Sequence, residues 1–142
     1  MSAPSPEPPA TPQVVIDADL VDTLIGRGGY THPLFQRVPG GDADGPPLPG
    51  QAVVLLLGGL VEQSGLLDDA IALLELRRAR FHRMVKAGTT LRVRIERVAS
   101  RVTSRGTQVV DFRWTGIDAD DEPVAEVEAV MLMNGTGRED TR

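Results

Sequence analysis

The densest cluster of chemically useful side chains lies in a short aperiodic segment, Tyr30 to Phe35. Tyr30, Thr31 and His32 supply a phenol, a hydroxyl and an imidazole at three consecutive positions. Because an imidazole exchanges protons near neutral pH, such a cluster suits general acid–base catalysis on a bound water. Pro33 restricts the His32 backbone to extended conformations, which would fix where the imidazole points. The alternative is that His32 is a structural residue that hydrogen-bonds within its own loop.

The start of the most apolar segment is a second candidate site, in which backbone N–H groups bind a ligand. Ala52 to Val61 has no polar side chain, and it lies between prolines and Gly65. It is apolar on every face and too short for a membrane span, which predicts a helix enclosed by the rest of the fold. The backbone N–H groups at its start, at Gly50 and Gln51, are candidates for stabilising negative charge on a carbonyl oxygen.

Charged residues supply two further candidate sites. Glu62 ends the apolar segment, where it is either a carboxylate that activates water or a solvated group at the helix end. The densest basic run of the chain extends from Arg77 to Lys86, in a sequence whose net charge is −5. Arg80, Arg83 and Lys86 are therefore candidates for binding phosphate groups. The alternative is a solvated strand face.

The elements that must position these residues follow from periodicity. Alternation of apolar and polar side chains begins at about Glu75 and recurs in later segments, which predicts strands. Short connections between them favour antiparallel pairing. Before that alternation, Leu66 to Leu74 is predicted to be helical or irregular. Nearer the N-terminus, Val14 to Ile16 is predicted to begin a short strand. Asp17 or Asp19 is then predicted to cap a short helix ending at about Ile25.

Length and composition limit the remaining possibilities. At 142 residues, the chain is predicted to form a single domain over residues 13–133, with a disordered leader at 1–12 and a disordered tail at 134–142. The acidic balance argues against nucleic acid as a partner. With no cysteine and two histidines, no metal site is expected. We see neither a signal peptide nor a membrane segment, and we expect a cytoplasmic protein.

Three segments, taken in order, resemble the hot-dog fold of the MaoC-like acyl dehydratases and (R)-specific enoyl-CoA hydratases. Gly29 to Phe35 resembles that family's loop with an Asn-Pro-Leu-His core. Pro49-Gly50-Gln51 stands where the family enters its central helix. Arg80 to Val93 resembles the family's strand, turn and following strand. The resemblance implies an α+β hot-dog fold, with an antiparallel β-sheet wrapped around a central buried α-helix.

The resemblance also implies a function. We expect a homodimer that binds an acyl-CoA or acyl-carrier thioester, with coenzyme A present only as part of the substrate and no other cofactor. Reversible hydration of a 2-enoyl thioester would use His32 as the base and the N–H groups at Gly50 for the thioester carbonyl. Aligned on Pro33, however, Tyr30 and Phe35 replace the family's catalytic Asp and His.

Because of that replacement, two alternatives stay open at the level of sequence. One is an acyl-CoA thioesterase in which Glu62 activates water. The other is a non-catalytic acyl-CoA-binding protein, or a subunit that completes a related enzyme in a heteromer.

Overall fold

The computed structural model describes residues 11–41 and 43–135, which form two α-helices, one 3-10 turn and five strands. In chain order, the elements are β1 (Val14–Val15), α1 (Ala18–Gly28), the 3-10 turn (Pro33–Phe35), α2 (Gly50–Gln63), β2 (Ala70–Phe81), β3 (Thr90–Val102), β4 (Gln108–Ile117) and β5 (Pro123–Met133).

Helix α1 begins at Asp17, one of the two predicted caps, and continues to Gly28, past the predicted end at about Ile25. The side chain of Asp17 accepts a hydrogen bond from the N–H of Leu20 at 2.8 Å, which satisfies a donor that the helix leaves unpaired. Gly29 ends the helix in the left-handed conformation, with φ of 80°, where glycine carries no steric penalty. The chain then turns directly into the segment that contains Tyr30 and His32.

The five strands form one antiparallel sheet in the order β1-β3-β4-β5-β2. Its inner face packs against α2 through a continuous apolar core that includes Leu91, Val93, Trp114 and Val127. Strand β4 approaches the helix closely at Gly116, where an added Cβ would lie 2.7 Å from the Leu57 Cδ2 atom. The predicted α+β hot-dog fold, a curled antiparallel sheet around a central helix, is confirmed.

Helix α2 is covered by its own chain on one face only. Leu57 on the inner face is 0% exposed, whereas Leu55 on the opposite face is 63% exposed. Gln51, Gly59 and Glu62 continue the exposed face at helical spacing. The expectation of a fully enclosed helix therefore holds for the inner face and is wrong for the outer one, because the sheet wraps around only one side.

Strand β2 begins earlier than the sequence predicts. The segment expected to be helical or irregular up to Leu74 is already strand from Ala70 onward. The register with β5 breaks between Ala70 and Ala72 and again between Leu73 and Glu75. Each break inserts an extra residue and interrupts the period-two alternation that identifies a strand. Because of these two breaks, the sequence pattern placed the start of β2 too late in the chain.

The outer face of the sheet carries a row of alternating charges across four strands. Glu96, Arg113, Glu128 and Arg77 are successive cross-strand neighbours on β3, β4, β5 and β2. Arg113 lies 3.1 Å from Glu96, and Arg77 also lies 3.2 Å from Asp111. Part of the basic run of β2 is thus paired with carboxylates of neighbouring strands.

The two ends of the described chain are tied to the sheet. Thr11, which the sequence assigns to the leader, is buried, and its hydroxyl accepts a hydrogen bond from the N–H of Val93 at 2.9 Å. The N–H of Asn134, at the start of the predicted tail, donates to the carbonyl of Asp69 at 2.8 Å. The rest of the predicted leader up to residue 10, and the tail from residue 136, lie outside the described residues.

Candidate functional site

A cleft of about 400 Å³ opens at the start of α2, and we call it the helix-start cleft. Its walls come from three elements: the 3-10 turn with Leu34 and Phe35, Gly50 of the helix, and the end of β2 with Phe81. The Phe81 ring lies over the helix start, because a Cβ at Gly50 would come within 2.9 Å of that ring. Glycine is therefore the residue that leaves room for an aromatic cover at this position.

The first N–H groups of α2 are available at this cleft. An α-helix has no internal partner for its first N–H groups, and Pro49 provides no side-chain cap. The Pro49 carbonyl accepts from Ala52 and Val53, and within the described part of the chain the N–H groups of Gly50 and Gln51 have no acceptor in their own helix. Together with the positive end of the helix dipole, these two donors suit a carbonyl oxygen that gains negative charge.

His32 caps the 3-10 turn. Its Nδ1 atom accepts a hydrogen bond from the N–H of Leu34 at 3.0 Å. In the neutral ring this places the proton on Nε2, so the basic nitrogen is already in use. A general-base role at Nε2 would require the proton to move to Nδ1 and the cap to open. His32 is exposed, and it is not among the residues that line the helix-start cleft.

Tyr30 and Thr31 are placed differently from one another. The Tyr30 ring is half-buried and meets Phe35 edge to face, with 5.3 Å between ring centroids. The Tyr30 carbonyl accepts from the Gln36 side chain at 3.2 Å, whereas the Thr31 side chain is exposed. Tyr30 therefore reaches the cleft wall indirectly, through Phe35, and the structure does not gather Tyr30, Thr31 and His32 around one point in the cleft.

His82 belongs to the run of alternating side chains after Glu75 that predicts a strand, and it lines the helix-start cleft. Its Nε2 atom lies 3.4 Å from the Glu126 carboxylate on β5. A carboxylate at this distance can orient an imidazole. Sequence gave no signal for this pair, because its members are 44 positions apart and meet only through the β2–β5 register.

A second, more apolar cavity of about 570 Å³ runs along the exposed face of α2, and we call it the helix groove. It is lined by Leu55 and Gly58 of the helix, by Leu73 and Leu76 of β2, and by Trp114. Its polar lining residues are Gln51 and Glu62.

Glu62 does not share a site with Gly50. Twelve residues separate them along one helix, which corresponds to roughly 18 Å at the α-helical rise. The carboxylate is exposed at the far end of the groove. The structure therefore brings Gln51 and Glu62 to opposite ends of one groove, and Gly50 to the adjoining cleft.

The three basic candidates are separated by the sheet. Arg83 lines the helix-start cleft and pairs with Asp118. Lys86 lines a separate cleft that adjoins the helix-start cleft. Arg80 is paired in register with Glu126, and it lines a depression on the outer face of the sheet. Arg80 thus lies on the side of the sheet opposite Gly50.

The Arg83–Asp118 contact sets the charge at the rim of the helix-start cleft. The Arg83 guanidinium beside Asp118 lowers the pKa of that carboxyl below its ordinary 3.8, and backbone N–H groups of Glu122 and Asp120 act in the same direction. These contacts stabilise the ionised carboxylate. Asp118 is therefore ionised at neutral pH, where it pairs with Arg83.

Within residues 11–41 and 43–135, no group of three or more His, Asp or Glu side chains is arranged to hold a metal ion. In the same ranges, no helix is long and apolar enough to cross a membrane.

Comparison with known proteins supports the fold. No protein-family model matches the sequence, and no curated protein is similar to it at a significant level. Many solved structures are similar, and three of them illustrate the match. A MaoC-like dehydratase from Rhodospirillum rubrum is 14% identical with a TM-score of 0.75, and the match covers 92% of this chain and 93% of that one. The HadBC (3R)-hydroxyacyl-ACP dehydratase complex from Mycobacterium tuberculosis is 19% identical with a TM-score of 0.69, covering 89% and 96%.

The third is a conserved hypothetical protein from Mycobacterium tuberculosis with a double hot-dog fold. It is 22% identical with a TM-score of 0.64, and the match covers 97% of this chain and 45% of that one. At these identities the likeness concerns the fold, and it agrees with the resemblance found in the sequence. The chain has the hot-dog fold that occurs in MaoC-like dehydratases.

Proposed function

We propose that this protein binds an acyl thioester and catalyses the reversible hydration of a 2-enoyl thioester. The observation that carries the proposal is the helix-start cleft, where the N–H groups of Gly50 and Gln51 have no side-chain cap and the Phe81 ring lies beside Gly50. A thioester carbonyl placed there would receive two hydrogen bonds as it becomes an enolate. The helix groove, which includes Gln51 next to Gly50 in sequence, offers an apolar surface for an acyl chain.

The similar solved structures support the same reaction class. One is named a MaoC-like dehydratase, and another is the HadBC complex, named a (3R)-hydroxyacyl-ACP dehydratase. Dehydration of a 3-hydroxyacyl thioester and hydration of an enoyl thioester are the two directions of one reaction. Both directions need a carbonyl-binding site and a proton-transfer group.

Two imidazoles are candidates for that proton-transfer group. His32 is the base we infer from the sequence, and in this role it would give up its cap to Leu34. His82 lines the cleft, although its Nε2 atom faces Glu126, which also lines the depression on the outer face of the sheet. Because the chain contains no other histidine, the pair can be separated cleanly by substitution.

A second copy of the chain is proposed to cover the exposed face of α2 and the free edge of β2. Leu55, Ile71, Leu73 and Leu74 are all about half exposed or more, and an uncovered apolar patch of this kind marks an association surface. The helix groove would then become a tunnel between two protomers.

A non-catalytic subunit is the second candidate function. It is favoured by the occupied Nδ1 atom of His32 and by Tyr30 and Phe35 at the positions where the related hydratases have their dyad. Under this proposal, a related hot-dog chain supplies the acid and base. A thioesterase that uses Glu62 has less support, because Glu62 lies about three helical turns from Gly50.

The deciding experiment is incubation with a short 2-enoyl-CoA. Loss of the conjugated-thioester absorbance without thiol release supports hydration, thiol release supports the thioesterase, and binding without turnover supports the non-catalytic subunit. Turnover of His32→Gln is expected to fall by about 10²–10⁴-fold, with His82→Gln as the matched control close to the parent. The reverse result would assign the base to His82. The hydration proposal fails if the parent protein does not consume any enoyl thioester.

A further inference from the structure

The second half of strand β3 has a neighbouring strand on one side only. Strand β4 pairs with it from Arg92 to Val102, whereas β1 pairs only with the first two residues of β3. Thr11 makes the last contact on the β1 side, through hydrogen bonds with the N–H and the carbonyl of Val93 at 2.9 and 3.0 Å. Within the described part of the chain, residues 96–102 have no hydrogen-bonded strand on that side, and we call this stretch the distal β3 edge.

The distal β3 edge is open to an incoming strand. Backbone N–H and C=O groups of alternate residues face the same side of a strand, so those of Arg97 face the same way as those of Val93. Every residue from 96 to 102 is exposed, including the apolar side chains of Val98 and Val102. The stretch is roughly 23 Å long, which is the length of an ordinary strand. Unpaired backbone groups over this length form a template for strand pairing.

The charge of the distal β3 edge is positive, in a chain whose net charge is −5. Arg97 donates to a neutral side-chain amide of β4 at 3.1 Å. Arg101, and Arg105 in the following turn, make no ion pair within residues 11–41 and 43–135. The only carboxylate between residues 96 and 105, Glu96, already pairs with Arg113 at 3.1 Å. The edge therefore offers cationic donors that are available to an acidic partner.

The arginines lie on both faces of this edge. Arg97 lies opposite Phe112 of β4, on the face that packs on the core. Arg101 lies opposite Val109. Phe112 and Val109 are an odd number of positions apart along β4, so they face opposite sides of the sheet. The switch follows from the break in register after Arg97, which inserts an extra residue. A strand added here would meet one guanidinium on each of its faces.

Two occupants that belong to this chain fit the edge poorly. Pairing with the same edge of a second copy would bring the arginines of both copies together, and opposed like charges destabilise a sheet. Bulges and basic side chains are also the devices that keep exposed edges from pairing with one another. Residues 1–10 include four prolines, which have no N–H to donate to a ladder. An acidic strand from another protein meets neither obstacle.

We propose that the distal β3 edge binds an extended acidic segment of a partner protein by strand addition. Main-chain hydrogen bonds supply the affinity in this mode of recognition. Carboxylates on both faces of the segment would pair with Arg97 and Arg101. No residue of this edge lines the helix-start cleft or the helix groove. The edge also lies at the opposite end of the sheet from β2. The inference therefore does not depend on which reaction the protein catalyses.

Fluorescence anisotropy with a synthetic peptide tests the proposal. The probe is fluorescein-labelled Thr-Glu-Asp-Val-Glu-Asp-Val-Glu-Thr, and its neutral counterpart carries Gln and Asn instead of Glu and Asp. The acidic peptide is expected to bind the parent protein about 10-fold more tightly than the neutral one, the usual effect of a charge-assisted hydrogen bond. Arg101→Gln should remove this difference. Arg78→Gln changes an exposed arginine on the opposite edge strand, so it is the matched control and should retain it.

The result has two ways of contradicting the role of charge. The inference is overturned if the acidic peptide binds the parent protein no better than the neutral one. It is also overturned if Arg101→Gln and Arg78→Gln have the same effect on the acidic peptide.

Two further peptides test the backbone and leave the protein unchanged, so the test stays decisive even if Arg101→Gln folds poorly. They have the acidic sequence with N-methyl groups at either the odd or the even positions. A strand bonds to its neighbour through alternate residues. One methylated peptide should therefore lose binding, and the other should keep it. Equal affinities of the two would exclude strand addition.

Light scattering without peptide separates a partner protein from a second copy of this chain. The parent protein and Arg101→Gln are expected to have the same mass. A smaller mass for Arg101→Gln would assign the edge to contacts between copies and overturn the inference. Peptide binding by a protein that consumes no enoyl thioester would refute the proposed function and still support this inference, because the edge shares no residue with the helix-start cleft.

Discussion

Both faces of helix α2 carry a large leucine side chain, and the surroundings of the two leucines are opposite. On the inner face, Leu57 is completely covered by the sheet and lies against Gly116. On the outer face, Leu55 is mostly exposed, and Gly59 has no neighbour within 4 Å of an added Cβ. Contacts within the chain therefore account for the apolar side chains of the inner face, and they leave Leu55 on the outer face uncovered. Apolar sequence therefore indicates that a surface is to be covered, without indicating whether the cover is the same chain or something else.

The largest expected loss of stability comes from truncating a side chain of the inner face, because this leaves a cavity. Leu57→Ala should lower the free energy of unfolding by about 2–5 kcal/mol, because the lost side chain leaves a void under β4. Leu55→Ala is the matched control, and in the monomer it should cost far less, since its side chain meets few atoms. Denaturant titration of both variants measures the difference. Equal losses would mean that the two faces are equally packed.

A charged side chain placed on the outer face tests whether a second copy of the chain covers it. If a second copy covers Leu55, Leu55→Glu should weaken association by about 2 kcal/mol or more, because it places a carboxylate in an apolar interface. Light scattering should then report the 15.2 kDa chain instead of twice that mass. A parent protein that is already monomeric at micromolar concentration would remove the proposed dimer and the tunnel with it.

A pair of glycines gives a smaller effect with opposite signs. Gly116→Ala should cost about 1–3 kcal/mol, because the new methyl group would press on Leu57 and Leu91, which are both fully buried. Gly59→Ala should gain about 0.5–1 kcal/mol, because it replaces a poor helix former where space is open. Thermal melting of both variants measures the signs. A loss at Gly59 would show that a partner packs closely there.

The smallest effect lies outside both faces, at the cleft rim. Because Arg83 lowers the pKa of Asp118 below 3.8, the contribution of their contact to stability is present above pH 3.8. It is lost as the pH falls through the lower folded-state pKa. Asp118→Asn should remove this part of the acid dependence. Unfolding at about pH 6 and about pH 3 measures it, and Asp120→Asn serves as the control. Identical acid profiles for the parent and Asp118→Asn would contradict the assignment.

The sequence predicted the elements whose signals are local. The cap at Asp17, the apolar helix after Pro49 and the alternating strands after Glu75 all depend on residues within a few positions of one another. The start of β2 was missed because two bulges interrupt its alternation. The open outer face of α2 was missed because the extent of sheet curvature is a tertiary property.

The candidate site was less predictable than the fold. His32 was correctly placed in a loop, but its hydrogen bond to Leu34 became visible only once the 3-10 turn was formed. His82 and Glu126 meet through strand pairing, and Arg37 meets Asp22 through the packing of a loop on α1. No local sequence pattern predicts contacts between residues that are this far apart along the chain. Gly50 was the exception, because a glycine after a proline at a helix start is itself a local signal.

Trp114 gives the molecule a built-in optical reporter. It is the only tryptophan in the chain, and its ring lines the helix groove next to Gly58. The indole is buried, and its N–H has no hydrogen-bond partner among the described residues. Indole emission depends on the polarity around the ring, so an acyl chain or a second protomer that displaces water from the groove changes the signal directly. Occupancy of the groove can thus be followed by fluorescence in the unlabelled protein.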